Sequence, residues 1–562
     1  MNFDRKTVAL LALIIFGFTA YNYYLQTKYP DYYAGRVRVA QPNVEEGKEA
    51  VGDAAASVSD MVKTEKEAGG IKDDGVASSE EKLATNLLSE EELTFDTATR
   101  TIVFNQDRVE ISSVKLKAYQ AERDSNAPVE LLDGPLTIQA ITNAAQRVGE
   151  QGFVAERQGQ SMVYRKKRGD FEITQKLTVP DSGYLMPIEV SFRNTSKTSQ
   201  ELTAGLLLQE SIALDGSGGS FFNPASFVAM NKSLIYGLDG AREEEVAKSY
   251  CEDDANEPAF SLRSEKIDYI GYNKHYFLSV IWPDNKMNYV MEHSDAEARS
   301  KESCPVSLIA YDNQGFVEPG AVVKLNFSAY LGPKDLNILE AASPQLKSSV
   351  KFGWFSVIAK PLLFIVKWLY DVFQNYGLAI ILVTVLLKIL FYPLTKAAAV
   401  SMKKMQKLQP EMTKLRERFK DDPQRQQREL MMFMAKHKVN PAKGCLPILP
   451  QIPVFIAFYN VLSQAIELRH ASFFGWIQDL SSADPYYVTP ILLGCGMFLQ
   501  QKLTPNPSMD KNQERIMLMM PLIFTVMMLS LPAGMVLYMI TNTAVSIVQQ
   551  QWLNRKLAKQ LG

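Results

Sequence analysis

The sequence predicts a polytopic α-helical membrane protein that carries a large exported all-β sandwich domain and a cytoplasmic helical hairpin. Three observations lead there. The 562-residue chain changes texture along its length: roughly the first 350 residues are mostly polar, and the last 200 or so hold several long apolar runs. Within the polar part, short runs of alternating apolar and polar residues recur, the pattern of half-buried strands. Between the apolar runs, basic and non-basic segments alternate, as they do when a chain crosses a bilayer repeatedly. The formal net charge of −2 names no partner.

The elements follow in order. Arg5 and Lys6 precede an apolar run from Val8 to Leu25. It is long for a signal-peptide core and no small-x-small cleavage site follows, so residues 7–25 are predicted to be a retained anchor with residues 1–6 in the cytoplasm. Residues 26–93 are rich in acids, Ala, Ser and Gly and nearly lack aromatics beyond about Ala40. Such a segment cannot bury enough apolar surface to offset chain entropy and reads as a flexible outer linker. A short amphipathic helix around Leu83–Leu93 is the rival reading of its end.

Residues 94–335 are predicted to be the β-sandwich. The runs TIVFNQDRVEISSVKLKAY, SMVYRKKRGDFEITQKLTV, LMPIEVSFRNTS, ELTAGLLLQESIAL, HYFLSVIWPD and VVKLNFSAYLG alternate with period two. No GxSxG elbow, nucleotide loop or HExxH motif occurs there, so no catalytic residue is assigned and the chain is not read as an enzyme. A cleft that holds a peptide or a partner protein stays open. The four histidines are scattered and give no metal spacing, and no cofactor is expected. Cys251 and Cys304 would be able to form one disulfide in an exported domain, or remain as thiols. Cys445 and Cys495 fall in apolar runs and read as small core residues.

Residues 350–374 are aromatic and apolar but carry Lys360, Pro361, Lys367 and Asp371, which suits an amphipathic helix lying on the outer face of the membrane. Residues 375–394 are predicted to be the second span, long enough for the ~30 Å hydrocarbon core. Further spans are predicted at 445–468, 486–503, 516–531 and 535–553, making six with the anchor. Residues 469–485 form an outer loop, residues 504–515 an inner loop, and residues 554–562 an inner tail. Charge supports this assignment: residues 396–443 contain thirteen Lys/Arg against five Asp/Glu, whereas residues 469–485 hold one Arg against two Asp.

The basic segment, 395–443, is predicted to be the helical hairpin. Met405, Leu408, Met412, Leu415 and Phe419 recur at the spacing of a helix seam. Asp421, Asp422 and Pro423 close one helix and open the next, with Asp422 as N-cap. Its methionines form either an adaptable surface for apolar segments or simply the seam. Its basic residues either meet RNA or anionic lipid, or fix topology as a solvated face.

Lys388 interrupts the second span, with Thr384 one turn before it on the same face. A cation at bilayer depth costs roughly 2.5–3.5 kcal/mol, so it marks a function or has a partner, unless it snorkels to the nearby interface. Tyr538, Asn542, Ser546 and Gln549 share one face of the last span, and Gln451, Asn460, Ser463 and Gln464 punctuate the third. Singly, such residues hydrogen-bond helices together. Together with a cation, they suggest a shared hydrated cavity open to the cytoplasm.

The stretches FGWFSVIAKPLLFIVKWLYD, ILFYPLTKAAAVSMKKMQKLQPEMTKLRERFKDD, KVNPAKGCLPILPQIPVFIAFYNVL, FFGWIQDLSSADPYYVTPILLG and IMLMMPLIFTVMMLSLPAGMVLYMITN closely resemble the YidC/Oxa/Alb membrane insertases, specifically the YidC branch of Gram-negative bacteria. They cover nearly all of Val350–Leu553 in order. The resemblance implies a five-helix insertase core that accepts nascent membrane proteins, alone or with the Sec translocon and its accessory subunits, without consuming nucleotide. It implies an inner-membrane location with both termini cytoplasmic and the large domain periplasmic. It further implies contact with the translating ribosome, the signal-recognition pathway and lipid, and a monomer when the protein works alone. Lys388, Thr384, Gln451, Tyr538 and Asn542 fall at positions of the family's hydrophilic, substrate-binding groove. Met405, Met412, Asp421, Asp422 and Met431 fall in its cytoplasmic substrate or ribosome contact. Two departures stand out: relatives mostly carry arginine where this chain has Lys388, and a common Tyr-Tyr pair reads Tyr538-Met539. A secondary transporter or a membrane-anchored periplasmic scaffold are the alternatives; the first would need broken helices and internal repeats, which the sequence does not display.

Overall fold

The structure is a computed structural model and describes residues 88–121, 125–142, 151–213, 233–238, 240–246, 260–293, 303–350, 352–353, 355–420, 422–437, 448–503 and 511–561. The predicted anchor at 7–25, most of the predicted linker, Asp421 and Cys251 lie outside the described residues. The described chain forms two compact units, one of strands up to Val350 and one of helices beyond it.

The strand unit opens with a helical turn, Glu90–Leu93, in a capping box: Ser89 and Glu92 exchange side-chain and backbone hydrogen bonds. Arg157 fixes this turn by donating to the carbonyls of Glu91, Glu92 and Thr94. The end of the predicted linker is therefore ordered, because its polar groups find partners on a strand.

Strands follow as β1 (Thr94–Asp96), β2 (Arg100–Phe104), β3 (Glu110–Gln120), β4 (Pro128–Glu130), β5 (Leu136–Ile141), β6 (Val154–Gln158), β7 (Ser161–Arg168), β8 (Phe171–Thr178) and β9 (Leu185–Asn194). They continue as β10 (Gln200–Ala213), β11 (Ser233–Leu238), β12 (Ala241–Val246), β13 (Phe260–Asn273), β14 (Phe277–Pro283), β15 (Met287–His293), β16 (Ser303–Val317) and β17 (Val322–Pro333). The alternating runs fold as strands because alternation buries one face: in β8, Phe171, Ile173, Gln175 and Leu177 point inward. Strands such as β14 are buried on both faces and so carry continuous apolar sequence.

The sheet divides at β13. Its residues 270–273 pair with β14, while residues between 260 and 267 pair with β15. One layer then runs β14-β17-β9-β8-β7-β6, and the other runs β15-β16-β10-β5-β3-β2-β1. Side chains that bond to the backbone of the opposite layer hold the two together. Gln175 on β8 takes the N–H of Ala140 at 3.0 Å and gives a hydrogen bond to the carbonyl of Ile138 at 2.8 Å, both on β5. Tyr164 on β7 donates to Asn105 at 2.6 Å. Arg100 on β2 is fully buried and donates to the carbonyls of Tyr184, Leu185 and Leu331. Burial pulls its guanidinium down to about 10.

The strand unit closes with α1 (Leu336–Ala342), capped by Asp335, and a 3-10 turn at Pro344–Ser349. A buried polar network anchors this exit. Lys334 donates to Asn273 at 2.9 Å, and Asn273 donates to Ser233 at 2.9 Å and to Glu244 at 3.2 Å. Arg242 pairs with Glu244 at 2.8 Å and donates to the carbonyl of Ser349 at 2.6 Å.

The helical unit comprises α2 (Ser356–Phe373), α3 (Tyr376–Leu390), α4 (Tyr392–Arg418), α5 (Pro423–Lys436), α6 (Ile448–Gln464), α7 (Val488–Leu503), α8 (Lys511–Met528) and α9 (Ala533–Leu561). Helix α9 packs against α3, α4, α6 and α7. Helix α2 reverses into α3 through Gln374 at φ 52°, and Asn375 caps α3 by accepting from Leu378 N at 2.9 Å.

The predicted second span, 375–394, is not one straight helix. Helix α3 has 15 residues, about 22 Å at 1.5 Å per residue. The chain leaves helical geometry at Phe391 and resumes as α4 with a 59° bend. Pro393 explains the break, since it has no N–H for the Ile389 carbonyl and its ring crowds that turn. Among the described residues no single helix is long and apolar enough to cross a membrane, but α3 and α4 pass that test as a bent pair.

The Lys334 network makes strand-unit stability depend on pH. Burial, reinforced by Arg242 and opposed by Glu244, brings the Lys334 ammonium from its ordinary 10.5 down to about 7. Below pH 7 both folded and unfolded chains hold the proton and the burial penalty is present in full. Between about 7 and 10.5 only the unfolded chain binds it, so stability rises with pH, by at most about 1.4 kcal/mol per pH unit. In a chain keeping Trp282, buried in β14, as its only tryptophan, urea midpoints read from fluorescence are expected to rise from pH 7 to pH 9. Lys334→Met is expected to flatten that slope; an equal slope in both chains refutes the assignment.

Candidate functional site

The polar residues of α3, α6 and α9 meet where these helices pack. Lys388 lies in the last turn of α3 and is half-buried. Its ammonium donates to Ser546 Oγ on α9 at 2.8 Å, and Ser546 in turn donates to the Asn542 carbonyl at 2.7 Å. Gln549, one turn further along α9, donates to the Lys388 carbonyl at 3.2 Å. Its Oε1 is buried and has no hydrogen-bond partner among the described residues. Among the described residues no carboxylate pairs with Lys388, which rests on a neutral hydroxyl. Such an arrangement leaves the positive charge uncompensated and able to attract an anionic group.

Gln451 forms the second rung. Its amide donates to the Tyr538 hydroxyl at 2.7 Å, joining α6 to α9. The Tyr538 ring stacks on Phe458, centroids 4.6 Å apart and planes 14° apart. Phe458 stands seven residues after Gln451, hence on the same face of α6. That spacing was the only signal in the sequence for it.

Individual assignments shift in this geometry. The Asn542 carbonyl supports Ser546, and it is Ser546, from the same stripe, that meets Lys388. Tyr538 is buried under Phe458. Thr384 is buried too, and its hydroxyl donates to the Ile380 carbonyl of its own helix at 2.6 Å. A threonine bonded back to residue i−4 has used its proton, so Thr384 offers no free donor to a groove. Asn460, on the third predicted span, donates to the Phe352 carbonyl at 2.9 Å and fastens the approach to α2.

The basic segment folds as α4 and α5 packed along a methionine-rich seam. Met405, Met412 and Leu430 are its buried centre, with Met402, Leu408, Leu415, Phe433 and Met434 around them. Asp422 caps α5 by accepting from Arg425 N at 3.0 Å, with Pro423 in the first turn. Met405 and Met412 are only 2% and 1% exposed, whereas Met431 is 57% exposed. The sequence assignment of Met405 and Met412 as contact residues is therefore corrected: α5 covers both, and only Met431 of the three faces outward. Basic residues dominate the outer faces, with Arg425 over the Phe419 ring at 5.1 Å.

Other faces of the helical unit expose large apolar side chains. Leu386, Ile389 and Leu390 on α3, Ile491 and Leu492 on α7, Leu522, Ile523 and Val526 on α8, and Val548 on α9 are all exposed. Rows of this kind along helices need an apolar environment. No group of His, Cys, Asp or Glu able to hold a metal ion occurs among the described residues.

Comparison with known proteins covers both units. Residues 92–365 match the family model described as the YidC periplasmic domain, and residues 368–560 match that of the 60Kd inner membrane protein. The membrane protein insertase YidC of Syntrophus aciditrophicus is 35% identical over 487 residues, spanning 83% of this chain and 85% of the relative. That of Cellvibrio japonicus is 37% identical over 428 residues, 76% of this chain and 73% of the relative. A higher identity, 51%, links the chain to the same-named protein of Geotalea daltonii over 241 residues, but this spans only 43% of this chain and 45% of that relative's length.

The seam and the outer face of α5 give a contrast that can be measured. Met405→Ala removes a buried side chain and is expected to cost about 2–5 kcal/mol. Met431→Ala is expected to stay within about 0.5 kcal/mol. Limited proteolysis of the full chain across residues 392–437 reads the difference: cleavage speeds up in the first variant and is unchanged in the second.

Proposed function

The chain belongs to the family of YidC membrane protein insertases, and from that membership we propose that it inserts nascent inner-membrane proteins into the bilayer, alone or beside the Sec translocon. The observation that carries the reading is Lys388: a half-buried cation whose partner is a neutral hydroxyl, within a helical unit that presents exposed apolar faces.

In this reading the helical unit lies in the inner membrane. The predicted anchor and α3, α6, α7, α8 and α9 supply six crossings, both termini are cytoplasmic, and the strand unit is periplasmic. The exposed rows on α3, α7, α8 and α9 face lipid. Helices α4 and α5 form the cytoplasmic hairpin, whose basic outer face and Met431 receive a translating ribosome or its emerging segment. Helix α2 lies on the outer surface of the bilayer.

Insertion proceeds by partition. An apolar substrate segment moves along the lipid-facing surface of α3 and α9 beside the groove, with a driving force of roughly 25 cal/mol per Å² of apolar surface removed from water. Its short polar or acidic flank enters a hydrated groove between α3, α6 and α9, where the Lys388 ammonium lowers the cost of an acidic group and the Gln549 Oε1 that of a hydrogen-bond donor. Lysine supplies charge there without the bidentate fork of arginine, so attraction rather than fixed carboxylate geometry does the work. No covalent step is needed, and no cofactor or nucleotide enters.

Two outcomes test this. Lys388→Glu is expected to reduce insertion of a single-span substrate with an acidic flank by roughly tenfold, equivalent to about 1.4 kcal/mol, with a smaller effect on one whose flank is neutral. Photoreactive residues at Gln451 and Asn542 are expected to crosslink to such a substrate on stalled ribosomes, while one at the lipid-facing Leu522 is not. Normal insertion of both substrates by Lys388→Glu, together with silence at both groove positions, overturns the reading.

A further inference from the structure

The end of the helical unit opposite the α4–α5 pair is closed by residues 469–487, a segment that the function above leaves without a role. It is tightly folded. Leu480 N donates to the Ala471 carbonyl at 2.9 Å, and Phe473 N to the Ile477 carbonyl at 2.9 Å. Asp479 accepts from His470 N, Ser481 N and the hydroxyls of Ser481 and Ser482. Asp484, fully inside, accepts from Trp476 Nε1 at 3.1 Å, from Tyr486 N at 3.0 Å, and from the Thr489 backbone and hydroxyl at 2.7 and 2.8 Å. Burial alone would raise the Asp484 carboxyl, but these donors outweigh it and hold it below the ordinary range.

The segment is also docked. Phe473 packs so closely against Gly377 in the first turn of α3 that its ring leaves no room for a Cβ there. Ala533 N and Gly534 N, at the start of α9, donate to the carbonyls of Ser482 and Leu480 at 2.7 and 2.9 Å. Glu467 pairs with Lys367 of α2.

Both carboxylates are committed to donors in the segment and the first turn of α7, and the large exposed side chains of the segment are aromatic. Phe474, Trp476, Tyr486 and Tyr487 are 64%, 40%, 68% and 50% exposed. Tyr487 holds a left-handed backbone at φ 56°, unusual for a bulky residue, and is secured by its N–H to the Asp484 carbonyl. Neighbouring elements also expose apolar groups. Ile491 and Leu492 follow on α7, and Trp368 and Phe373 stand exposed on α2, to which Glu467 ties the segment.

We propose that residues 469–487 are a prefolded anchor that seats Phe474, Trp476, Tyr486 and Tyr487 in the headgroup and glycerol layer of the outer leaflet. The inference rests on the membrane reading above and adds the occupant of this surface: lipid. The Trp476, Tyr486 and Tyr487 rings, each with an apolar body and a polar edge, settle at that depth, and Phe474 adds apolar surface beneath them. Trp476 has its N–H satisfied by Asp484, so it presents apolar ring without an unpaired donor. The inward turn of Asp479 and Asp484 removes carboxylates that anionic lipid would repel. The internal bonds mean that little ordering entropy is lost on seating, as a loose loop would lose it.

Depth-dependent quenching tests it. The full chain, with Trp476 as its only tryptophan and the other four changed to Phe, is reconstituted in phosphatidylcholine–phosphatidylglycerol vesicles. Bromine is placed either near the glycerol or at the chain ends, and acrylamide is added outside. The expected result is quenching roughly twofold stronger from the shallow bromine than from the deep one, with weak acrylamide quenching. A chain keeping only Trp552, at the other end of the unit, serves as control. If Trp552 is quenched by lipid while Trp476 answers only to acrylamide, the anchor is overturned and the membrane reading stands. Protection of Trp476 from both probes means a protein surface covers it, and also overturns the anchor. If neither tryptophan is quenched by lipid, the membrane reading itself fails. Should the four-fold substitution not fold, Trp476→Phe in the otherwise unchanged chain gives the same signal by difference. Asp484→Ala is expected to shift Trp476 toward acrylamide by loosening its hold.

Discussion

At the centre of the helical unit one ammonium is held among helices by neutral groups, with no carboxylate beside it among the described residues. Lys388 is met by the hydroxyl of Ser546, which passes its own proton to the Asn542 carbonyl, while Gln549 reaches across to the Lys388 carbonyl. Neutral partners keep the cation solvated without cancelling its charge. A carboxylate in Ser546's place would stabilise the charge more and, in the proposed mechanism, leave none to attract an acidic flank. This requirement explains why α9, in the middle of the helix pack, carries a polar stripe. It also makes sense of the Pro393 bend, which turns the basic α4 away at 59° one turn beyond Lys388.

The strand unit answers a different constraint with a similar device. Two large layers that diverge from one strand, β13, have to be kept in register across their apolar interior. Apolar contact sets no register, because it has no direction. Arg100, Gln175 and Tyr164 supply the direction by bonding to backbone groups of the opposite layer. Each is a buried polar group that would be costly if unpaired, so the register that satisfies them is favoured over neighbouring ones. Lys334 does the same at the exit of the unit, and there the cost of burial is large enough to bring its proton into the neutral range.

The two ends of the helical unit are specialised in opposite ways, and both were partly legible. The seam of α4 and α5 followed from the spacing of Met405, Leu408, Met412 and Leu415. Met405 and Met412 were also assigned to an outer contact, and periodicity cannot separate those readings: a seam and a sticky surface have the same pattern until the partner helix is known. Opposite, residues 469–485 read only as a loop poor in basic residues. Its fold depends on Asp479 and Asp484 turning inward, a matter of backbone geometry that composition does not carry.

What the sequence determined by itself was element type and gross organisation, because those depend on local periodicity. Alternation marked β2, β3, β7, β8, β9, β10 and β17, and β14 was marked by its run of β-branched and aromatic residues. Strands such as β5, β11 and β13 went unmarked, because burial on both faces or pairing on two different sides erases simple alternation. The stripe Tyr538, Asn542, Ser546 and Gln549 was legible as one face of a helix, since residues at such spacings must share a side. Which rung meets Lys388, that Thr384 bonds back to its own helix, that Phe458 lies under Tyr538, and that the second apolar run breaks at Phe391 were decided only in three dimensions. Those outcomes depend on how far α3, α6 and α9 slide and rotate against one another. That offset is set by the packing of many side chains at once, and no single stretch of the chain encodes it.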